Sequence, residues 1–480
     1  MDWGAGITHF AETTVKEKKV VFGIKDMDRL EHVCIIGRAG SHRSDLLVRM
    51  ILEDMKRGVG TLVLDTSGKI TQMVIERISP DAKDRLVYLD PADGEYPFSW
   101  NPMDDFRSLS IEIAIPLLSK TLASVYEIPA SALTELSATA ILAKEQSTLL
   151  LLYELLNDEE TRKKQFADMP DVAEQFEGAI TNNADAVERV KEHGRYIAKD
   201  SLVRNLIGQP TSKFTLAKLS EGAIFIVDLT RIKMFPTRVT PLVRLMLHTI
   251  EARAHGSQDP VALYLSECLR YLGDDDVELL FKKHAVLTTI SDTFYGDEQK
   301  ELRDKTVSRA GSVIAFTPNQ GDVETIERVF YPYITADELE KIEEGEFIVA
   351  LAIDAVRSRP FFAQVLPLPE RTGLSDQDLM SKSRDLYTTS RMKIDAIFKK
   401  VIPPNIPPRP EPKPPEASGF SDAFRSIFAK QAPGDAPVKA GSPVPPPQRP
   451  KEQVQKGGFD EVPEGELRSL LDVVPPEDSE

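Results

Sequence analysis

The chain has 480 residues, 41% of them hydrophobic, which is enough for one large or two ordinary domains with real cores and a tail besides. It carries 76 acidic against 59 basic residues, a net charge of −17, which excludes a broadly basic nucleic-acid coat while leaving room for a local basic channel. Its two cysteines, Cys34 and Cys268, cannot build a disulfide framework or a zinc site, and the greasiest run, Leu149 to Tyr153, is too short to span a bilayer. A reducing, cytoplasmic setting is expected. Met1 to Gly4 has no basic start and no apolar run of a leader, so any membrane contact is expected to come through partners.

Residues 1–29 read as a lead-in segment, with Lys16, Lys18 and Lys19 as a solvated basic face. Residues 30–106 alternate between strand and helix: strand His32–Ile36, helix Asp45–Arg57 stopped by Gly58, strand Thr61–Asp65, helix Lys69–Ile78 and strand Leu86–Leu89. That rhythm predicts a parallel sheet covered on both faces. From 107 to 205 strand signals vanish, and long helices are expected at Ala130–Leu156 and Ala184–Leu206, as an all-α insertion. The α/β rhythm resumes over 206–370. Strands are expected at Ala223–Leu229, Val261–Leu265, Ala285–Thr289, Ser312–Phe316 and Phe347–Ile353, and helices at Val239–Ala254 and Cys268–Lys282. Residues 371–402 form a polar helical piece, Ser375–Lys400, and 403–480 a disordered, Pro-rich tail. Two apolar stripes interrupt the tail, Phe420, Phe424, Ile427 and Phe428, then Leu467, Leu470, Leu471 and Val474. Their helical spacing matches segments that fold into a partner's groove.

One stretch carries most of the chemistry. Strand Val33–Ile36 runs into Gly37-Arg38-Ala39-Gly40-Ser41-His42-Arg43-Ser44 and then into an amphipathic helix. This is the layout of a phosphate-binding P-loop, G-x-x-x-x-G-K-[ST], with two changes. His42 replaces the second glycine and crowds the backbone cradle with a Cβ. Arg43 replaces the lysine, offering a wide planar fork instead of a compact charge. Gly37, Gly40 and Ser44 remain.

The ordered set of pieces around this turn is specific. Phe22-Gly23-Ile24-Lys25 precedes it, Leu89-Asp90-Pro91 and Tyr96-Pro97-Phe98-Ser99-Trp100-Asn101-Pro102 follow the third strand, Arg204-Asn205-Leu206-Ile207-Gly208-Gln209-Pro210 precedes a later one, and Ser358-Arg359-Pro360-Phe361 comes near the end. Together they resemble the conjugative coupling ATPases of type IV secretion, within the HerA/FtsK-like translocases, over roughly residues 8–400. The resemblance implies a RecA-like P-loop NTPase domain (30–106 and 206–370) with an inserted all-α domain (107–205). It further implies a hexameric ring that pumps DNA or nucleoprotein with ATP.

At the active-site positions that the resemblance supplies, the residues depart from the family. Where it implies an apolar strand ending in Asp-Glu, this chain has Ser266-Glu267, so the magnesium carboxylate is missing and Glu267 is vestigial. The polar sensor, usually Gln, is Asp292, and the arginine finger is Thr317, with Arg309 a surface charge rather than a displaced finger. Asp65 reads as a helix-capping carboxylate and His42 as a solvent-facing loop residue without metal partners. The expectation is a degenerate subunit, structural or regulatory, with no cofactor, no metal, and ATP with magnesium held weakly at most. Its expected partners are a homo- or hetero-oligomeric ring, formed alone or with a catalytically intact relative, and DNA or nucleoprotein cargo. Two other readings stand beside it: an active, divergent DNA translocase using Arg43, and a non-nucleotide scaffold for protein binding.

Overall fold

The computed structural model describes residues 6–256, 259–282, 285–291 and 300–401. Asp292 and every tail residue named above lie outside them. Thirteen strands follow in chain order: β1 (Ile7–Val15), β2 (Lys18–Lys25), β3 (Val33–Ile36), β4 (Thr61–Asp65), β5 (Leu86–Leu89), β6 (Ile224–Asp228), β7 (Val261–Ser266), β8 (Ala285–Ser291), β9 (Ser312–Ala315), β10 (Glu346–Ala350), β11 (Ala352–Ile353), β12 (Val356–Arg357) and β13 (Phe361–Val365).

Eleven of these form one sheet in the order β2-β1-β13-β10-β9-β3-β8-β7-β4-β6-β5, while β11 and β12 make a separate two-stranded ladder. The seven strands from β9 to β5 are mutually parallel. Strands such as β3 and β8 are buried at every position, which is why they read as unbroken apolar runs without alternation. The other four strands pair antiparallel and extend one edge. The lead-in residues 7–25 are thus the two outermost strands of the sheet. Their hairpin turns at Lys16 and Glu17, both with positive φ (49° and 65°), the left-handed pair whose twist suits a two-residue turn. Lys18 and Lys19 stand exposed on the edge strand, where charge discourages pairing with another chain.

The helix Arg43–Arg57 buries Leu46, Leu47, Met50, Ile51 and Met55 against the sheet. It ends where Gly58 turns left-handed (φ 78°) and donates its N–H back to the last turn. Between the neighbouring strands β5 and β6 the chain makes a helical excursion from Pro102 to Ile207, cored by Leu118, Leu122, Leu133, Ile141, Leu152, Phe176 and Val190. The fold is therefore α/β, a large and mostly parallel sheet with an all-helical insertion.

Five expected elements are divided. Phe347–Ile353 is β10 and β11, and Ser375–Lys400 is two helices, Asp376–Tyr387 and Arg391–Val401. Ala130–Leu156 is two helices, Ala132–Leu142 and Leu151–Asn157. Ala184–Leu206 breaks at Asp200, whose carboxylate accepts from Leu202 N and caps a new helix. Cys268–Lys282 is a 3-10 turn, Leu269–Tyr271, then a helix, Asp274–Leu280.

Candidate functional site

The parallel strands β3, β8, β7 and β9 all end on the same edge of the sheet. β3 lies between β8 and β9; its own connection leads toward β4, while that of β8 leads the opposite way, across β3 to β9, and crevices where neighbouring connections diverge take ligands. The turn Gly37–Ser44 leaves β3 at this place. Gly37 is fixed by packing: a Cβ on it would come within 2.6 Å of Phe316 Cβ and 2.9 Å of Ser41 Oγ. Its N–H donates to Ser291 O at the end of β8, and Arg38 N–H donates to Thr317 O just past β9. Ser41 Oγ donates to Arg38 O, closing the turn on itself. Gly40 (φ 88°) has open space where a Cβ would be. His42 takes up the left-handed conformation (φ 64°) as the residue that starts the helix, a place where glycine has no steric cost.

Arg43 is buried, and its Nη1 donates to Glu267 Oε1 at 2.7 Å. Both side chains are about nine-tenths covered, 10% and 8% exposed. The arginine at the lysine position and the acid at the end of β7 thus neutralise each other inside the crevice. Glu267 is held in a left-handed backbone (φ 56°), its N–H bonded to Ile290 O and its carbonyl accepting from Thr66 Oγ1 and Arg270 Nε. For a residue that carries a Cβ that conformation stores roughly 1–2 kcal/mol of strain. Arg43 Nε has no hydrogen-bond partner.

Ser266 is buried, with its hydroxyl 3.4 Å from Ser67 Oγ. Asp65 caps the next turn, accepting from Ser67 N, Ser67 Oγ and Thr71 N at 2.7–2.8 Å. Thr317 is buried and donates to Ile342 O, so it faces the interior. Arg309 pairs with Glu278 and lies over the Phe281 ring. Among the described residues no group of three or more His, Cys, Asp or Glu is placed to hold a metal.

His42 is half-exposed but engaged, its ring nitrogens meeting Asp45 Oδ2 and Glu344 Oε1, the latter at 2.9 Å. The hydrogen bond to Asp45, then that to Glu344, raises the imidazole above its ordinary pKa. The helix N-terminus that would favour a phosphate is thus surrounded by the carboxylates of Asp45, Glu344 and Glu267.

The chain resembles solved conjugative coupling proteins. Against the bacterial conjugative coupling protein TrwBdeltaN70, in its unbound monoclinic form, identity is 12% and the TM-score 0.49, over 75% of this chain and 88% of that one. Against VirB4 of Thermoanaerobacter pseudethanolicus the values are 12% and 0.48, over 77% and 98%. Against plasmid coupling protein TrwB in complex with the non-hydrolysable ATP analogue ADPNP they are 14% and 0.48, over 77% and 98%. No family model and no curated protein matches the sequence.

The structure brings Gly37, Gly40, His42, Arg43, Ser44, Ser266, Glu267 and Thr317 to one crevice edge. Sequence reasoning missed the partners: Arg43 with Glu267, and Asp45 and Glu344 around His42. The donor set fits a magnesium–phosphate group poorly, because the cation at position 43 already has its anion, no carboxylate stands at 266, and three acids line the loop.

Proposed function

We propose that this chain is a non-hydrolysing, coupling-ATPase-like subunit, retained for the shape of its α/β domain within a translocation assembly for DNA or nucleoprotein. The observation that carries the reading is the buried Arg43–Glu267 pair. Phosphoryl transfer is catalysed by positioning and charge stabilisation, and a cation already neutralised by an internal acid supplies little of either. Glu267, engaged by Arg43, is poorly placed to orient water. An arginine finger alone contributes about 10³–10⁵ in rate, and here threonine stands at that position, facing inward.

Phosphate release from the purified protein, with magnesium and with or without DNA, should stay at background. Turnover at the rate of an ordinary motor, abolished by Arg43→Ala, would refute the reading. Nucleotide binding should be weak and change little on chelation, since Ser44 has no carboxylate partner at position 266. Calorimetry with and without EDTA checks this, and tight binding that collapses with EDTA would contradict it. As a shape-keeping subunit it should enter a ring, alone or with a catalytically intact relative. Native mass measurement after co-purification tests that, and a strict monomer at high concentration with no retained relative would count against it. Among the described residues no helix is long and apolar enough to cross a membrane.

A further inference from the structure

The turn after β6 carries an exposed apolar tip on a fixed base. Leu229 N donates to Asp65 O, Ile232 is buried, and Tyr271 Oη donates to Lys233 O at 2.7 Å. On that base Met234 is 78% exposed and Phe235 49%. The surface continues onto the helix Ala184–Lys199. Thr237 Oγ1 donates to the hydroxyl of Tyr196, itself exposed, while Arg238 lies 4.6 Å over the Phe235 ring and pairs with Asp200 at 2.7 Å. Arg195, Lys199 and Lys233 add charge, and among the described residues no carboxylate pairs with any of them. Exposed Glu188 and Glu192 share the helix face with Arg195 and Lys199, so the surface is of mixed charge around an apolar centre, with Lys199 and Lys233 as cations that it offers.

We propose that residues 462–480 of this same chain dock on it. That segment holds Glu464, Glu466, Asp472, Glu477, Asp478 and Glu480 against the single cation Arg468, and it carries Leu467, Leu470, Leu471 and Val474. Acids for the lysines and leucines for Met234 and Phe235 are the complement that the surface needs. Residues 402–461 join this segment covalently to the described part of the chain, so its encounter with the surface is intramolecular. A single-stranded nucleic acid offers phosphates and bases to the same surface, but it must approach a polyanionic protein without a tether.

Carbodiimide coupling of amines to carboxylates in the full-length chain, at low protein concentration and read by mass spectrometry, tests this. Lys199 or Lys233 should couple to Glu464, Glu466 or Asp472 within one molecule. The triple substitution Leu467→Ala, Leu470→Ala, Leu471→Ala, and separately Phe235→Ala, should each lower that yield at least fivefold, with circular dichroism unchanged. The proposal is overturned if these couplings are absent or indifferent to the leucines. It is equally overturned if they form only between isotopically distinct copies, or if a single-stranded oligonucleotide protects Lys199 and Lys233 equally well with the leucines replaced.

Discussion

The Arg43–Glu267 pair can be measured as an energy. Both groups are almost covered, and the N···O distance of 2.7 Å is that of a charge-assisted hydrogen bond. Removing one member of such a pair leaves a buried charge uncompensated, at a cost of about 3–5 kcal/mol. Glu267→Gln keeps the volume and one acceptor oxygen, so it should fall at the lower end, about 3 kcal/mol. Arg43→Met keeps the apolar stem and removes the buried cation bonded to the Glu267 carboxylate, again at about 3 kcal/mol. The double variant leaves neither charge behind, and replacing a whole buried pair is often close to neutral. It should therefore cost no more than about 3 kcal/mol, against the ~6 kcal/mol sum of the singles, an interaction of at least ~3 kcal/mol in the cycle. Urea unfolding followed by far-UV circular dichroism gives the four stabilities. If the two singles add to within ~0.5 kcal/mol of the double, the groups are not coupled, and the proposed non-hydrolysing function loses the observation that carries it.

Three further outcomes are expected. Burial pushes the Asp105 carboxyl up to about 7, against the opposing pull of its Trp100 hydrogen bond. Because the folded value lies above the unfolded one, the stability tied to this group is complete below about pH 4 and lost as pH rises toward 7. The melting temperature of Asp105→Asn should lack that slope, and an identical pH profile would refute the assignment. The His42 imidazole should titrate above its ordinary value in an NMR pH series and move back toward it in Asp45→Asn, its first-ranked partner. Gly37→Ala should destabilise by about 1–3 kcal/mol in the same urea assay, because its Cβ would press on Phe316 and Ser41 in a packed turn.

How far the sequence could be read depended on how local each signal is. β4 and β5 have the expected bounds, Thr61–Asp65 and Leu86–Leu89, because a strand buried on both faces announces itself as a short apolar run between turns. The β1–β2 hairpin did not, since its residues alternate in burial and it is joined to the sheet through β13, about 350 residues away. Helix breaks at 143–150 and at Asp200 were hidden by apolar periodicity that runs through them. At the site the residue types were legible, but their contacts were not. Arg43 and Glu267 are 224 residues apart, and Glu344 is 302 from His42. A motif names residue types. Only the folded crevice shows which of them touch.

The strand order also has a consequence for synthesis. The two neighbours of β3 are β8 and β9, which emerge from the ribosome some 250 residues after it. Until then β3 has both edges open, and β1 waits longer still for β13. A nascent chain halted before residue 285 therefore holds a fully apolar strand with no partner on either side. Such a chain should need chaperone protection for most of its translation, and N-terminal fragments of it should aggregate rather than accumulate.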